Sequence, residues 1–400
     1  MQLFHHYHTH KLDKLIHSDL WLFDFSIWLH VFGRSMISIF VPIFMLKIGF
    51  SLNVVVLYYF FYVVFDIPLN FFSKFLIQKI GARRVLILGT LSLVFFFLAL
   101  YSLAVGNWLL LILMALLSAF YDAFYWVAHL YLFMKSSKND ENASGDTSML
   151  YIIKRIAGIM SPMFGALILI FFSKNILIIA SILILCLSLI PLFKMKGVKD
   201  KPEIGKTMSF KKYFEKFDYL KEYIIQGLFS FHSVAEGVIW PIFIYTVFMS
   251  VNSVAVIPII VSFTAILFSY FTGKIKKTDR GKVMVLGALL IAITWVLRIF
   301  LESNIFYFVS VALIGLFSIL ISIPLDSTIF EKGELRDPLS ASTYRNALSM
   351  FPRIFFYGVL YLMIDVFKVT FVIASASMFV VMAVCYVFLV KKPQLKIKEI

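Results

Sequence analysis

The chain has 400 residues, 61% of them hydrophobic and 15% charged, with a mean hydropathy of +0.93. Globular domains average nearer half apolar and a quarter charged, so an ordinary soluble domain is excluded. The formal charge of +15 does not signal nucleic acid, because it is gathered in alternate gaps between apolar blocks.

The first 20 residues carry His5, His6, His8, His10 and His17, a cluster of metal-ligand character. No Cys or carboxylate completes a defined geometry there, so no metal is expected. No apolar stretch precedes a small-residue cleavage site, and no secretory signal is read. Apolar blocks of the length that crosses a bilayer then run over 21–46, 52–74, 83–104, 108–134, 147–172 and 175–193. A second set follows at 223–249, 253–273, 282–301, 304–326, 344–366 and 369–390. Between the sets lies a basic stretch, 194–222, in which Phe210–Tyr223 reads as an amphipathic helix on the membrane surface. The expected organisation is a tail (1–20), a six-span half (21–193), a linker (194–222), a second six-span half (223–390) and a tail (391–400).

The gaps after even-numbered blocks are basic. One holds Lys74, Lys79, Arg83 and Arg84, another Lys274, Lys276, Lys277, Arg280 and Lys282. The remaining gaps hold little more than Lys47, Lys174 and Lys368. Basic loops stay cytoplasmic, which predicts a multi-pass protein of the plasma or inner membrane with both termini inside. The basic charge then faces anionic lipid headgroups. Outer gaps such as Gly106-Asn107 are short and require antiparallel hairpins. Cys186 and Cys385 lie inside apolar blocks and have no metal or redox spacing.

The halves repeat weakly. Arg84–Gly89 (RVLILG) recurs as Lys282–Gly287 (KVMVLG), Asn107 matches Asn304, and Arg155-Ile156 matches Arg353-Ile354, all at an offset of 197–198 residues. Parallel six-span repeats are the plan of one large transporter group. The loop after the second block, Lys74 to Arg84, has a glycine turn at Gly81 and the basic pair Arg83-Arg84, with Gln78 at the usual acidic place. The fifth block carries Gly158-x-x-Ser161-Pro162-x-x-Gly165-Ala166. In these features the chain resembles the major facilitator superfamily, the fifth-block motif being similar to one typical of its antiporters. The resemblance implies an all-α fold of twelve membrane helices in two six-helix bundles. It also implies a monomer without cofactor and a central cavity lined by helices one, four, seven and ten. Gly81, Arg83 and Arg84 are read either as gating residues or as a plain positive-inside anchor.

An ionisable side chain at mid-bilayer costs at least about 2.5–3.5 kcal/mol, so one that persists faces a cavity or a partner. Arg34 lies near the centre of the first block with His30 and Ser38 one turn to either side. Asp122 lies in the fourth, in the stripe Ser118, Asp122, Tyr125, His129. Glu236 lies in the seventh beside Ser233, Gly237 and Trp240, and Ser318, Ser322 and Asp326 form a stripe in the tenth. These polar stripes fall on the four helices that the resemblance assigns to the cavity. Asp122 and Glu236 are the candidate proton or substrate-cation sites, with Arg34 as countercharge or anion contact. The structural alternative is a fixed Arg34–Asp122 ion pair. Lys154, Arg155 and Arg353 reach a vestibule or snorkel to headgroups. Asp66 is expected to meet basic residues at the cytoplasmic end, and Arg298 to snorkel at the outer end.

No phosphate loop, nucleophile elbow or zinc-hydrolase helix is present in the sequence, so an enzyme is not expected. The expected function is alternating-access transport of a small organic solute by proton-coupled antiport, in the direction of efflux. The alternatives are solute–proton symport, or a protein of this fold that moves lipid or senses a ligand without coupling.

Overall fold

The structure, a computed structural model, describes residues 19–136, 143–195, 201–202 and 207–391. The N-terminal histidines and the side chain of Arg155 lie outside the described residues. The first span is α1 (Asp19–Ser38) followed by α2 (Val41–Ile48), broken at Ile39-Phe40 ahead of Pro42. Gly49, at φ 112°, closes α2 in a left-handed cap that other residues adopt at a cost. Spans two to six are α3 (Leu52–Ile80), α4 (Ala82–Tyr101), α5 (Trp108–Ser136), α6 (Ala143–Phe171) and α7 (Lys174–Lys194).

After the short α8 (Phe210–Tyr213), span seven comprises α9 (Phe217–Val234), a π-turn (Ala235–Ile239) and α10 (Trp240–Phe248). Spans eight to twelve are α11 (Val251–Gly273), α12 (Arg280–Phe300), α13 (Asn304–Arg336), α14 (Pro338–Leu362) and α15 (Val366–Cys385) with its π-helical end, Tyr386–Lys391. The result is an all-α membrane fold in two six-helix bundles.

Three boundaries differ from the sequence reading. Span two runs past Lys74 to Ile80, and span ten past Asp326 to Arg336, so the loop expected between spans ten and eleven shrinks to Asp337. Bilayer thickness limits the apolar run, not the helix, and charged turns simply continue the helix into water. Asp337 caps α14, its Oδ1 accepting from the N–H groups of Leu339 (3.1 Å) and Ser340 (3.2 Å). The surface helix expected over Phe210–Tyr223 is instead interrupted at Phe214–Lys216. There Tyr213 folds inward and its hydroxyl meets that of Tyr223 at 2.9 Å.

Among the described residues, ten helices are long and apolar enough to cross a membrane by length and composition. In the fifth span the apolar stretch counted is Ile156–Phe171, and the eleventh, with Arg345, Arg353 and several Ser, Thr and Asn residues, is more polar than the rest.

Spans one, five and six pack together, as do two, three and four; seven, eleven and twelve match them in the second half, with eight, nine and ten. The halves meet along two seams, span two on eleven and span five on eight. The repeated glycines mark equivalent crossings. A Cβ at Gly89 would lie 2.7 Å from the Tyr125 backbone nitrogen, and one at Gly287 would lie 2.9 Å from Leu320 Cβ. Span three therefore closes on four, and nine on ten, at distances that only glycine allows. Fifth-span glycines serve the same end: a Cβ at Gly165 would meet the Met36 carbonyl oxygen at 2.3 Å, and one at Gly158 the Ser262 hydroxyl at 2.7 Å.

Candidate functional site

Between the bundles lies a cavity of about 650 Å³. Arg34, Asp122 and Glu236 all line it, with Ser38, Ser318, Ser322, Asp326 and Arg353. Its wall is not confined to the four expected helices. Span two contributes Tyr58, Tyr59 and Tyr62, and span eleven Arg345, Arg353 and Tyr357. A smaller space of about 240 Å³ continues from Asp122 towards the basic face, lined by Trp126, Lys154, Gln226, Arg345 and Asn346.

Each charged group is held differently. The Arg34 guanidinium faces the ring of Tyr121 at 5.2 Å and that of Trp126 at 6.0 Å. Among the described residues no carboxylate lies within 4.0 Å of it, so the fixed Arg34–Asp122 ion pair is not formed. Asp122 is instead bonded by Asn346 Nδ2 at 3.4 Å, with Tyr62 its other polar neighbour and Arg34 and Arg353 the cations that act on it. Asn346 Nδ2 also donates to Asn70 Oδ1 at 2.7 Å, and Asn70 donates to the Asp66 carboxylate in turn. Asp66 is fully buried; it faces Asp122 and Arg353 and not the basic loop expected for it.

Glu236 enters the cavity from the π-turn of span seven, where the Trp240 N–H reaches back to the Ala235 carbonyl. Such turns widen a helix and recur at functional positions. Its carboxylate accepts from Arg298 at 2.5 and 3.4 Å. Arg298 therefore does not snorkel. Its side chain is fully enclosed, lying 3.4 Å above the Trp240 ring and 4.4 Å from that of Trp295, with Nε donating to Ser310 at 2.8 Å. Trp240 supports this ion pair from behind the cavity wall. Asp326 is held bidentately by Arg345, whose Nε donates to Oδ1 at 2.9 Å and Nη2 to Oδ2 at 2.8 Å, the geometry in which a guanidinium fork is strongest. His232 accepts from Trp295 Nε1 at 2.8 Å and so presents its other nitrogen, as donor, to the Ser318 hydroxyl at 3.1 Å.

Two sequence candidates are set back from the cavity. His30 is buried, bonded to the Tyr121 hydroxyl at 3.0 Å and stacked on Tyr125 at 3.7 Å. His129 is fully buried among Phe23, Tyr125 and Trp126, and neither ring nitrogen has a hydrogen-bond partner. Spacing places each at one end of a polar stripe, and those ends lie in the contact between spans one and four while Arg34, Ser38, Ser118 and Asp122 reach the cavity.

Gly81, Arg83 and Arg84 lie at the basic face. Gly81 has φ 94° and ψ 154°, a conformation nearly restricted to glycine, and Arg83 donates to the Met195 carbonyl at 2.5 Å while Arg84 is exposed. Gln78 donates to Thr207 at 2.6 Å.

Contacts cross between the halves on the basic side of the cavity. Phe133 of span four packs on Phe330 of span ten at 5.5 Å. The linker is tied to the same face at Met208. The Met208 carbonyl accepts from Lys74 (2.6 Å), Ser340 (3.0 Å) and Tyr344 (3.0 Å), and its N–H donates to Asp337 at 2.7 Å. No sequence motif announced this latch.

Residues 23–356 match the family model described as Major Facilitator Superfamily. The chain belongs to the major facilitator superfamily. The family consists of transporters, and the chain is a multi-pass membrane transporter. No curated protein sequence matches it. Among solved structures, it is similar to the human organic anion transporter MFSD10 (TETRAN), with a TM-score of 0.70, 10% identity, and 91% of this chain and 98% of that chain covered. It is also similar to the E. coli fucose:proton symporter FucP, with a TM-score of 0.65, 13% identity, and 92% and 97% covered. At these identities the likeness shows the shared facilitator fold.

Proposed function

We propose that the protein carries a small organic solute through the central cavity by alternating access, with Asp122 as the proton-coupling carboxylate and Arg34 as the anion contact. The observation that carries this reading is that Arg34, Asp122 and Glu236, chosen from three different spans, line one cavity. Charges that reach mid-membrane at that cost are kept where water, substrate or protons reach them. The two bundles rock about this site, and the Met208 latch and the Phe133–Phe330 contact hold the basic side shut in the conformation described. The positive-inside pattern assigns that side to the cytoplasm.

Antiport rests on the fifth-span motif, whose glycines serve close helix packing in this fold. A second reading, solute–proton symport, is favoured by the cations: Arg34 and Arg353 have no ion-pair partner within 4.0 Å among the described residues. The relatives of known fold named above include one organic anion transporter and one proton symporter.

The test is flux in proteoliposomes driven by a pH gradient, with substrates first found by their stabilisation of the purified protein. Asp122→Asn is expected to abolish proton-driven flux while leaving insertion intact. Unchanged proton-driven flux in that variant removes the coupling assignment, and absence of flux for every stabilising compound favours a sensor or lipid mover.

A further inference from the structure

Span two brings Asp66 and span four brings Asp122 together beside the cavity, where Asn346 Nδ2 lies 2.7 Å from Asn70 Oδ1 and 3.4 Å from Asp122 Oδ2 while Asn70 holds Asp66. Asp66 has no solvent exposure, and its Oδ2 has no hydrogen-bond donor although Oδ1 is bonded by Asn70. A buried carboxylate oxygen without a donor is costly, and the cost ends if that oxygen carries a proton shared with the neighbouring acid. Asn70 and Asn346 link the two acids on the other side, in the order Asp66, Asn70, Asn346, Asp122.

The charges around the pair come from every element packed on it. Span one supplies Arg34 and span eleven supplies Arg353, and both act on Asp122. Span five supplies Lys154, which lies over the Trp126 ring at 4.7 Å. Span ten supplies Asp326, already held by Arg345. Span three carries no charge beyond Arg83 and Arg84 at its start. The hydroxyls of Tyr62 and Tyr121 complete the surroundings. With the Arg298–Glu236 and Arg345–Asp326 pairs self-compensated, Arg34 and Arg353 face Asp66 and Asp122, and Lys154 adds its charge beside Trp126. One proton on the pair raises the net charge of this set by one.

We propose that Asp66 and Asp122 form a one-proton switch, and that loading it leaves the charge of Arg34 and Arg353 less compensated, so that they hold a small organic monoanion in the tyrosine-lined cavity. Proton and anion then bind cooperatively and cross together, one for one, as a neutral load. This deepens the transport reading above and rests on it. It also fixes the sign of coupling, since a proton that competed with the solute would require a cationic substrate. Asp66, absent from the lining itself, is a positioning residue that acts through Asp122.

The experiment measures binding in detergent, without flux, so that failure of transport and failure of this inference are separable. The purified full-length protein is titrated with benzenesulfonate, gluconate and p-aminohippurate, with benzenesulfonamide and sorbitol as neutral controls, and binding is read by thermal stabilisation. Linkage to one proton predicts that affinity for a bound anion tightens on acidification, by up to about tenfold per pH unit while the switch is loading, and levels off once it is loaded. The neutral controls show no such trend. In Asp122→Asn one carboxylate remains against two arginines, the same balance as the loaded switch. Its affinity is expected to equal the acid-limit value of the wild type at every pH. Asp66→Asn is the second variant and behaves alike, while Arg34→Gln loses anion binding. Anion affinity that is flat or weakens on acidification overturns the proposal, as does a persisting pH slope in both Asn variants. Failure of all three anions to bind at any pH overturns it as well. Binding with the expected slope but no flux in liposomes leaves the switch standing and removes the transport reading.

Discussion

Replacing Glu236 by glutamine separates two roles that the sequence could not. Read from sequence, Glu236 is a proton site; in the structure its carboxylate neutralises a guanidinium with no exposed side-chain surface. Glutamine keeps the shape and one acceptor oxygen but removes the charge. Breaking a buried ion pair by removing one partner costs about 3–5 kcal/mol, because the other charge stays buried and unpaired. Arg298 retains its bond to Ser310 and its place over Trp240 and Trp295. Cation–π contacts of this kind contribute about 2 kcal/mol when desolvated, but they are present before and after, so they do not offset the loss.

Glu236 is 12% exposed towards the cavity, which lets water reach the vacated side and puts the cost at the lower end, about 3 kcal/mol. Replacing the whole pair, as Glu236→Leu with Arg298→Met, is expected to be much milder than either single change, since apolar replacement of a complete buried pair is often neutral or better. The assay is denaturant or thermal unfolding of the purified variants arranged as a double-mutant cycle. A Glu236→Gln protein within about 0.5 kcal/mol of wild type, or a cycle that is simply additive, would refute the locking role and return Glu236 to the list of proton carriers.

The remaining predictions test other parts of the site. His129→Phe is expected to leave both stability and flux unchanged, because the ring is packed among aromatic side chains and its nitrogens make no hydrogen bond; loss of proton-driven flux at normal expression would make it a relay after all. Arg345→Lys forfeits the bidentate hold on Asp326 and is expected to cost about 1–2 kcal/mol in unfolding measurements, with an unchanged midpoint speaking against the fork. Lys74→Met removes the bonds to Met208, Ser340 and Tyr344 and is expected to loosen the basic side. With Cys186 and Cys385 replaced, a single cysteine at Gln226 should then react faster with a reagent applied from that side, and equal rates would disprove the latch. Gly165→Ala forces a Cβ onto the Met36 carbonyl and is expected to cost about 1–3 kcal/mol, read from unfolding midpoints or from loss of folded protein.

How far the sequence could be read depended on what kind of information a residue carried. Apolar run length and the alternation of basic gaps answer to the bilayer directly, so on the short-loop face the span ends read from them lie within about four residues of the helix ends. On the basic face they do not, because helices there extend past the membrane, and Lys74 and Asp326 were read as span ends when they lie within helices. Helical spacing located Arg34, Asp122 and Glu236 because each is a lone charge in an apolar block, and depth alone marks such a residue. It could not say which lone charge meets which.

Arg298 and Arg345 sit near apparent span ends, where a long side chain reaches headgroups or turns inward with equal ease. Only the positions of Glu236 and Asp326 on neighbouring helices decide the matter. The eleventh span shows the limit most clearly. Ser340, Ser342, Thr343, Asn346 and Ser349 are all buried, and together they make that helix too polar to stand out as a span. The same polarity is what joins Asn346 to both Asn70 and Asp122 across the seam with span two. That seam combines these hydrogen bonds with ring contacts such as Tyr59 on Tyr357 at 5.5 Å and Phe71 on Tyr344 at 6.2 Å. The residues that weakened the membrane signal are thus those that connect the two halves at the level of the proton switch.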